Sequence, residues 1–414
     1  MVTKYDVFEI IYRNRSAMKP VEVVRKLNKD EKEYHVVHRY LRKLVNEKLL
    51  EKTKNGFQAE NSARSELLYN MIYYCVRNGI NYNFILDKNF VKFISKSLQK
   101  QEITSKTGKI NPRTIKKYLK ILDKYGLILI ISEKPLKAKI FYNVLLNNLL
   151  VYFGYDALVL TESPIDYIKA IQKELVIHKR LKRKNEARYQ NIINGFEISF
   201  IYHSLSLEGN PITLPDTIKI LKDNLIPANM RTVDVDEIKD YRQAIFQMLK
   251  DVNEKKLLNL QMALNYHKIA MNHKSEIAGK IRTVNVFIKG NLDFKVSSPK
   301  KIKPGLDKLF DTYNEFAKKK NKSLNEILDF VVYFHNEFQH IHPFEDGNSR
   351  ITRLITFHLL QAFAIPVFDI PFGLLDEYLD STKGSKKRED EKLHQNFQKI
   401  ILFNLKKINE KLNE

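Results

Sequence analysis

The stretch His342-Pro-Phe-Glu-Asp-Gly-Asn-Ser-Arg350, continued by Ile351, Thr352 and Arg353, ends one helix and opens another. Upstream, Ile327, Val331, Phe334 and Phe338 recur at helical spacing within 324–339, which predicts one buried face. Pro343 cannot continue that helix, and Gly347 allows close backbone approach. Downstream, Ile351, Leu354, Ile355 and Leu359 predict the buried face of a second helix starting near Asn348.

A loop carrying one histidine and two carboxylates therefore empties into a helix N-terminus. The free N–H groups and the dipole there make an anion site. Arg350 and Arg353, three apart on one helical face, suit adjacent phosphate oxygens. Asp346 can hold a magnesium ion that bridges phosphates. His342 titrates near neutrality and can take a proton from an attacking hydroxyl. Together these parts fit phosphoryl-type transfer from a metal-bound nucleotide.

The stretch resembles the Fic motif, HPFx(D/E)GN(G)RxxR in one-letter code, with one departure: Ser349 stands where glycine is usual and adds a Cβ where the loop meets the phosphates. The resemblance implies roles. His342 is the base that activates the target hydroxyl, Asp346 binds magnesium, and Gly347, Asn348 and Ser349 belong to the phosphate-binding loop. Arg350 and Arg353 contact the nucleotide phosphates, and Phe344 anchors the loop in the core. Ser204-Leu-Ser-Leu-Glu208-Gly209-Asn210 is similar to the family's inhibitory motif, (S/T)xxxE(G/N). There the glutamate, here Glu208, pairs with the second arginine, here Arg353, and blocks the ATP γ-phosphate; in some relatives it also supports removal of AMP. Gly279 to Ile288, with alternating Val284, Val286 and Ile288, resembles the entry to a β-hairpin flap that holds the target segment by strand addition. The resemblance covers about residues 165–405.

The first third of the chain reads differently. Val37, Tyr40, Leu41 and Leu44 fall at i, i+3, i+4 and i+7, and Ile115, Tyr118, Leu119 and Leu122 repeat the pattern 78 residues later. The other faces are basic: His38, Arg39, Arg42 and Lys43 in the first copy, and Arg113, Lys116, Lys117, Lys120 and Lys124 in the second. Asn111 caps the second helix, Pro112 opens it and Gly126 ends it. A hairpin is expected after each helix, turning at Asn55-Gly56 in the first copy and joining strands 127–132 and 139–144 in the second. Two helices, a basic helix and a hairpin resemble a winged helix-turn-helix, in which the basic helix enters the DNA major groove.

Charge follows the same division. The 414 residues carry a net +23. Residues 1–150 hold 30 Lys+Arg and 14 Asp+Glu, a net of +16, which leaves 41 and 34, a net of +7, for the remainder. A basic domain joined to a nearly balanced one fits a polyanionic partner or a lysine-rich solvated surface.

A hydrophobic content of 43% excludes a disordered chain. The single cysteine, Cys75, lies in an apolar run and reads as a buried structural thiol, without an intrachain disulfide. The N-terminus lacks the apolar core of a signal peptide and no apolar run is long enough for a bilayer, so a soluble, cytoplasmic protein is expected. His340 and His342 form a His-x-His pair beside Glu345 and Asp346, but the surrounding motif already accounts for His342, so zinc is not expected. His267, His335 and His358 read as ordinary core or supporting residues, and the basic runs 318–322 and 386–388 as solvated.

The expected fold is mainly α: a Fic-type helical core with a small β-hairpin flap, preceded by two winged helix-turn-helix modules. The expected boundaries are 1–60 and 61–150 for the modules and 151–414 for the Fic domain with its N-terminal inhibitory helix. The resemblance implies a protein adenylyltransferase that moves AMP from Mg-ATP to a Ser, Thr or Tyr hydroxyl of a protein target, restrained by Glu208. ATP and Mg2+ are the expected cofactors, DNA an expected partner, and a homo-oligomer compatible. The competing reading is a winged-helix DNA-binding transcriptional regulator whose Fic domain serves as a sensor or self-modifying switch.

Overall fold

The computed structural model describes residues 2–100, 102–105, 107, 110–156, 165–288 and 290–414. The chain divides into two compact units, residues 1–119 with 135–160 and residues 120–134 with 161–414. Helices dominate the described residues, and the strands form short two-stranded pieces.

The first unit begins with α1 (Lys4–Asn14), α2 (Pro20–Lys26) and α3 (Tyr34–Asn46), followed by β1 (Leu50–Thr53) and β2 (Gly56–Ala59). Val37, Leu41 and Leu44 are fully buried, so the apolar stripe of α3 faces the core formed with α1 and α2. β1 and β2 pair antiparallel from Leu50↔Ala59 to Thr53↔Gly56. The two-residue turn is therefore Lys54-Asn55, one residue earlier than the sequence suggested. Gly56 instead opens β2 at φ 134°, and a Cβ there would lie 2.4 Å from the Met18 carbonyl oxygen. That close approach lets Met18 and Phe57 exchange backbone hydrogen bonds of 2.8 and 2.9 Å.

The chain continues through α4 (Ala63–Arg77), α5 (Tyr82–Ile85), α6 (Lys88–Lys100), α7 (Pro112–Lys124), β3 (Ile128–Glu133), β4 (Leu136–Ile140) and α8 (Val144–Tyr152). α3 and α7 are each 13 residues long, with bounds offset by 78 (112 − 34 and 124 − 46). Asn111 accepts from the Arg113 N–H at 2.9 Å and Gly126 adopts φ 64°, so both ends of α7 carry the expected punctuation. The strand expected at 139–144 starts and ends earlier, as β4. Asn143 caps α8 by accepting from the Leu146 N–H, which commits the chain to a helix at that point. Cys75 is buried, and burial pushes its thiol up to about 12, as befits a structural cysteine.

The second unit contains α9 (Ile168–Lys184), α10 (Glu186–Ser206), α11 (Leu214–Ile218), α12 (Thr232–Asn253), α13 (Leu260–Ala270), α14 (Pro299–Lys318), α15 (Leu324–Ile341), α16 (Asn348–Ala362), α17 (Leu375–Asp380) and α18 (Asp390–Asn413). α16 is central: it packs against α10, α12, α13 and α15, and every residue from Asn348 to Leu360 is buried. Residues 281–288 form no strand, contrary to the alternation of Val284, Val286 and Ile288. An extended segment needs a ladder partner to become a strand, and Val284 and Phe287 lie exposed at 50% and 78%. Among the described residues no helix is long and apolar enough to cross a membrane.

Candidate active site

The site is built where α15 hands over to α16. Ser323 and Glu326 form a capping box that starts α15, and Pro343 stops it, because a residue preceding proline is driven out of the helical region. His342 takes the left-handed conformation there, with φ 52° and ψ 61°. Its Nδ1 lies 3.1 Å from the Gln339 carbonyl oxygen, which can only accept, so Nδ1 carries the proton and Nε2 the lone pair. Burial holds the imidazolium down to about 4, with the charges of Arg282 and Lys383 adding to the effect. His342 is therefore a neutral imidazole at ordinary pH, ready to accept a proton.

The loop from Pro343 to Gly347 is tied at almost every peptide. Asn348 Oδ1 accepts from the Phe344 N–H at 2.9 Å, and its Nδ2 donates back to the Phe344 carbonyl at 2.7 Å. The Phe344 ring is buried and stacked on His267, with centroids 3.7 Å apart. His267 Nε2 donates to the Asp346 carbonyl at 3.0 Å, while Nδ1 accepts from the Gly279 N–H at 2.9 Å. Gly347 sits at φ 80°, and a Cβ on it would fall 2.9 Å from the Met271 sulfur. Position 349 lies inside α16 with no positive φ, so the helix accepts serine there without backbone strain, and Ser349 is buried.

The two arginines of α16 are buried at 2% and 1% exposure. Arg353 Nε donates to Ser204 Oγ at 2.7 Å, and one terminal nitrogen reaches the Ser204 carbonyl and Glu208 Oε1, both at 2.9 Å. Tyr241 links the two arginine positions, accepting from Ser204 Oγ at 2.9 Å and donating to the Arg350 carbonyl at 3.2 Å. Arg350 donates to Glu237 and, at 2.9 Å, to Asp346 Oδ1. Each guanidinium keeps one buried nitrogen unpartnered among the described residues: Nε of Arg350 and the second terminal nitrogen of Arg353. Buried donors without acceptors are costly, and the N-terminus of α16, which no side chain caps, can receive an anion.

Residues 257–360 match the Fic/DOC family. A protein adenylyltransferase Fic from Drosophila persimilis is 26% identical over 214 residues, which is 51% of this chain and 38% of that protein. The protein of the same name from Nematostella vectensis is 24% identical over 182 residues, 44% of this chain and 41% of its own length. The chain thus spans about two fifths of the length of these relatives. The crystal structure of a Fic domain containing signaling protein from Bacteroides thetaiotaomicron shares the fold, with a TM-score of 0.52 and 20% identity, covering 60% of this chain and 97% of that one.

All residues from His342 to Arg353 lie inside the Fic/DOC match, whereas Ser204, Glu208, Glu237 and Lys383 lie outside it. Glu208 lies two residues beyond the end of α10, and its two oxygens are shared between Arg353 and Lys383, whose Nζ lies 2.8 Å from Oε2. Burial alone would raise this carboxyl; Arg353 and then Lys383 outweigh it and bring it to about 2. Gly209 next to it adopts φ 92° in open space.

Asp346, the expected metal ligand, is side-chain exposed at 43% and accepts from Lys274 at 2.6 Å, from Arg350 and from its neighbour's N–H. Burial would raise it, but Arg350 and Lys274 hold it below the usual carboxylate range. One ionised, accessible carboxylate beside the N-terminus of α16 fits magnesium, which keeps several waters and takes phosphate oxygens as ligands; the ion would take the place of the Lys274 ammonium. His340 turns to the Lys295 carbonyl and stacks on Phe294, away from any shared ligand set with His342.

Besides Lys383, three groups were missed or read as ordinary from the sequence. His267 is the clasp described above. Glu237, on α12, holds Arg350 and accepts from Asn210 at 2.7 Å. Arg282 is buried and ties the 281–284 segment to the loop: its N–H donates to the Pro343 carbonyl, and its guanidinium to the carbonyls of His342, Val284 and Ser297. A Gly at 279 beside an unassigned arginine was the only signal in the sequence.

The basic candidates of the first third, Arg39, Arg42 and Lys43 on α3 and Arg113, Lys116, Lys117 and Lys120 on α7, are all exposed. Lys117 also lies over the Phe84 ring, 5.8 Å from its centroid.

Proposed function

We propose that this chain transfers AMP from ATP to a Ser, Thr or Tyr hydroxyl of a protein. The observation that carries the proposal is the pair of buried arginines on α16, each with an unpartnered nitrogen, beside a histidine held as a neutral base. Arg350, Arg353 and the first N–H groups of α16 bind and orient the phosphates. His342 Nε2 takes the proton as the target oxygen bonds to the α-phosphorus; the bond from that phosphorus to the bridging oxygen breaks and pyrophosphate leaves. A magnesium ion at Asp346 supplies charge neutralisation across the phosphates when bound. Glu208, occupying Arg353, restrains the reaction until it is displaced. The residues from Thr283 to Ile288, exposed or half-buried and without a strand partner among the described residues, are the segment on which an extended target peptide would add.

The test is labelling with α-phosphate-tagged ATP and magnesium, comparing wild type, Glu208→Gly, and Glu208→Gly with His342→Ala. Label that appears with Glu208→Gly and disappears in the double variant supports the proposal. No label in any sample, with ATP binding demonstrated separately, would reject it.

A second reading is favoured by the exposed basic faces of α3 and α7, offset by 78 residues. Residues 1–60 and 61–150 then act as two winged-helix modules that bind DNA in a cytoplasmic protein, with the Fic/DOC region as sensor or switch. Changing Arg113, Lys116 and Lys117 to Ala should abolish an electrophoretic shift that falls steeply with salt; no shift with genomic fragments at low salt would exclude it.

A further inference from the structure

The inhibitory carboxylate is held by two cations, and only Arg353 belongs to the motif. Lys383 comes from the turn after α17, thirty residues further on (383 − 353). Its Nζ lies 2.8 Å from Glu208 Oε2 and 3.4 Å from the Leu207 carbonyl, while Arg353 takes Oε1. Glu208 therefore bridges two positive groups with its two oxygens. When the carboxylate leaves, a pair of cations spaced to hold one bidentate anion remains.

The turn that carries Lys383 is fixed rather than loose. The Thr382 and Gly384 N–H groups both donate to the Leu379 carbonyl, at 3.0 and 2.9 Å. A Cβ on Gly384 would lie 2.8 Å from that same oxygen, so glycine is needed for the turn. Thr382 Oγ1 donates to the Tyr378 carbonyl at 2.9 Å. From the other side, Asn291 Nδ2 donates to the carbonyls of Lys383 and Ser385, at 2.9 and 2.7 Å. The Lys383 side chain is 21% exposed, enough for its ammonium to be approached by a ligand.

We infer that Lys383 is a third phosphate-binding cation of the site, beside Arg350 and Arg353, facing the terminal phosphate of a nucleoside triphosphate and then the departing pyrophosphate, with Asn291 as the residue that positions it. The inference rests on the nucleotide-transfer reading above. A lysine is suited to this place: it is a compact point charge with three donors, able to follow a leaving group whose oxygens rearrange. Arg353 supplies a fixed planar fork on the opposite side. The same lysine thus stabilises the restrained state through Glu208 and the substrate-bound state through the phosphate that replaces it.

The experiment measures binding of ATP, AMP and inorganic pyrophosphate by calorimetry with magnesium present, all in the Glu208→Gly background. Lys383→Ala should weaken ATP and pyrophosphate on the order of tenfold and leave AMP unchanged, because AMP lacks the distal phosphates. Lys383→Arg should restore most of the loss, and Asn291→Ala should produce a smaller loss with the same selectivity. Undiminished ATP and pyrophosphate binding by Lys383→Ala would overturn the inference. Equal losses for ATP and AMP that arginine does not restore would also overturn it, by showing a merely structural role. Glu208→Gly protein that binds neither ATP nor pyrophosphate would instead overturn the nucleotide reading, before Lys383 is tested.

Discussion

Arg353 is the largest fully buried side chain of the described residues, and its guanidinium donates to Glu208 Oε1 at 2.9 Å. A phosphate needing that guanidinium has to displace the carboxylate. Coupling of this kind is typically worth about 5- to 150-fold, and Glu208→Gly should raise the transfer rate within that range. Glu208 has a lowered carboxyl, so its hold is complete above its ordinary 4.5 and is lost only as pH falls through about 2. The ratio of variant to wild-type rate should therefore stay constant from pH 5 to 8. A ratio that collapses toward one within that window would show that titration, not displacement, releases the site.

Gly347 marks the tightest point of the loop. Alanine there meets the Met271 sulfur at 2.9 Å and His267 Nε2 at 3.3 Å, and it must adopt φ 80°. The left-handed conformation alone costs about 1–2 kcal/mol, so Gly347→Ala should lower the melting midpoint by several degrees, at roughly 2–4 °C per kcal/mol. Adding Met271→Ala should recover the steric part and leave the backbone part. A melting curve superposable on wild type would show that the loop relaxes freely, against the packing described.

Much of this is legible in the sequence alone. The stripe on α15, the stop at Pro343, the start of α16 at Asn348 and the repeated basic helix are local signals, written in spacing and in proline and glycine. The Glu208–Arg353 contact was reachable through a resemblance, because two short motifs named both ends. Glu237, Lys383 and the His267 clasp were not legible. Each reaches the site from an element distant in sequence, and an isolated glutamate, lysine or histidine carries no pattern. The strand expected at 284–288 failed for a related reason: alternation predicts a face, but a strand also requires a partner.

Burial keeps His342, His267 and His358 neutral, each down to about 4 against an ordinary 6.5. The unfolded chain takes up these protons first as pH falls, so the stability these three histidines contribute should be lost between pH 6.5 and about 4, and below that the lowered carboxyl of Glu208 continues the loss. Each histidine contributes on the order of 3 kcal/mol to that drop. The base remains unprotonated throughout, so loss of transfer by Glu208→Gly on acidification should follow unfolding, with kcat/KM of the folded fraction nearly flat down to pH 5. Rates and circular dichroism measured on the same samples check this. An acid limb near 6.5 in fully folded protein would contradict the assignment of His342 as a buried neutral base.

Glu237 shares the Arg350 guanidinium with Asp346. It takes one terminal nitrogen of Arg350 while Asp346 takes the other, and Arg350 is only 2% exposed. Removing one partner of a buried ion pair typically costs ~3 kcal/mol, so Glu237→Ala should lower the melting midpoint on the order of 5–10 °C. Glu237→Gln, which can still accept from Arg350, should lose less. The nitrogen vacated in Glu237→Ala becomes available to a phosphate oxygen. Saturating Mg-ATP should therefore raise the midpoint of Glu237→Ala with Glu208→Gly by more than it raises that of Glu208→Gly alone. Equal ligand-induced shifts would mean that the freed nitrogen does not reach the nucleotide, and that Arg350 serves the phosphates through its Nε alone.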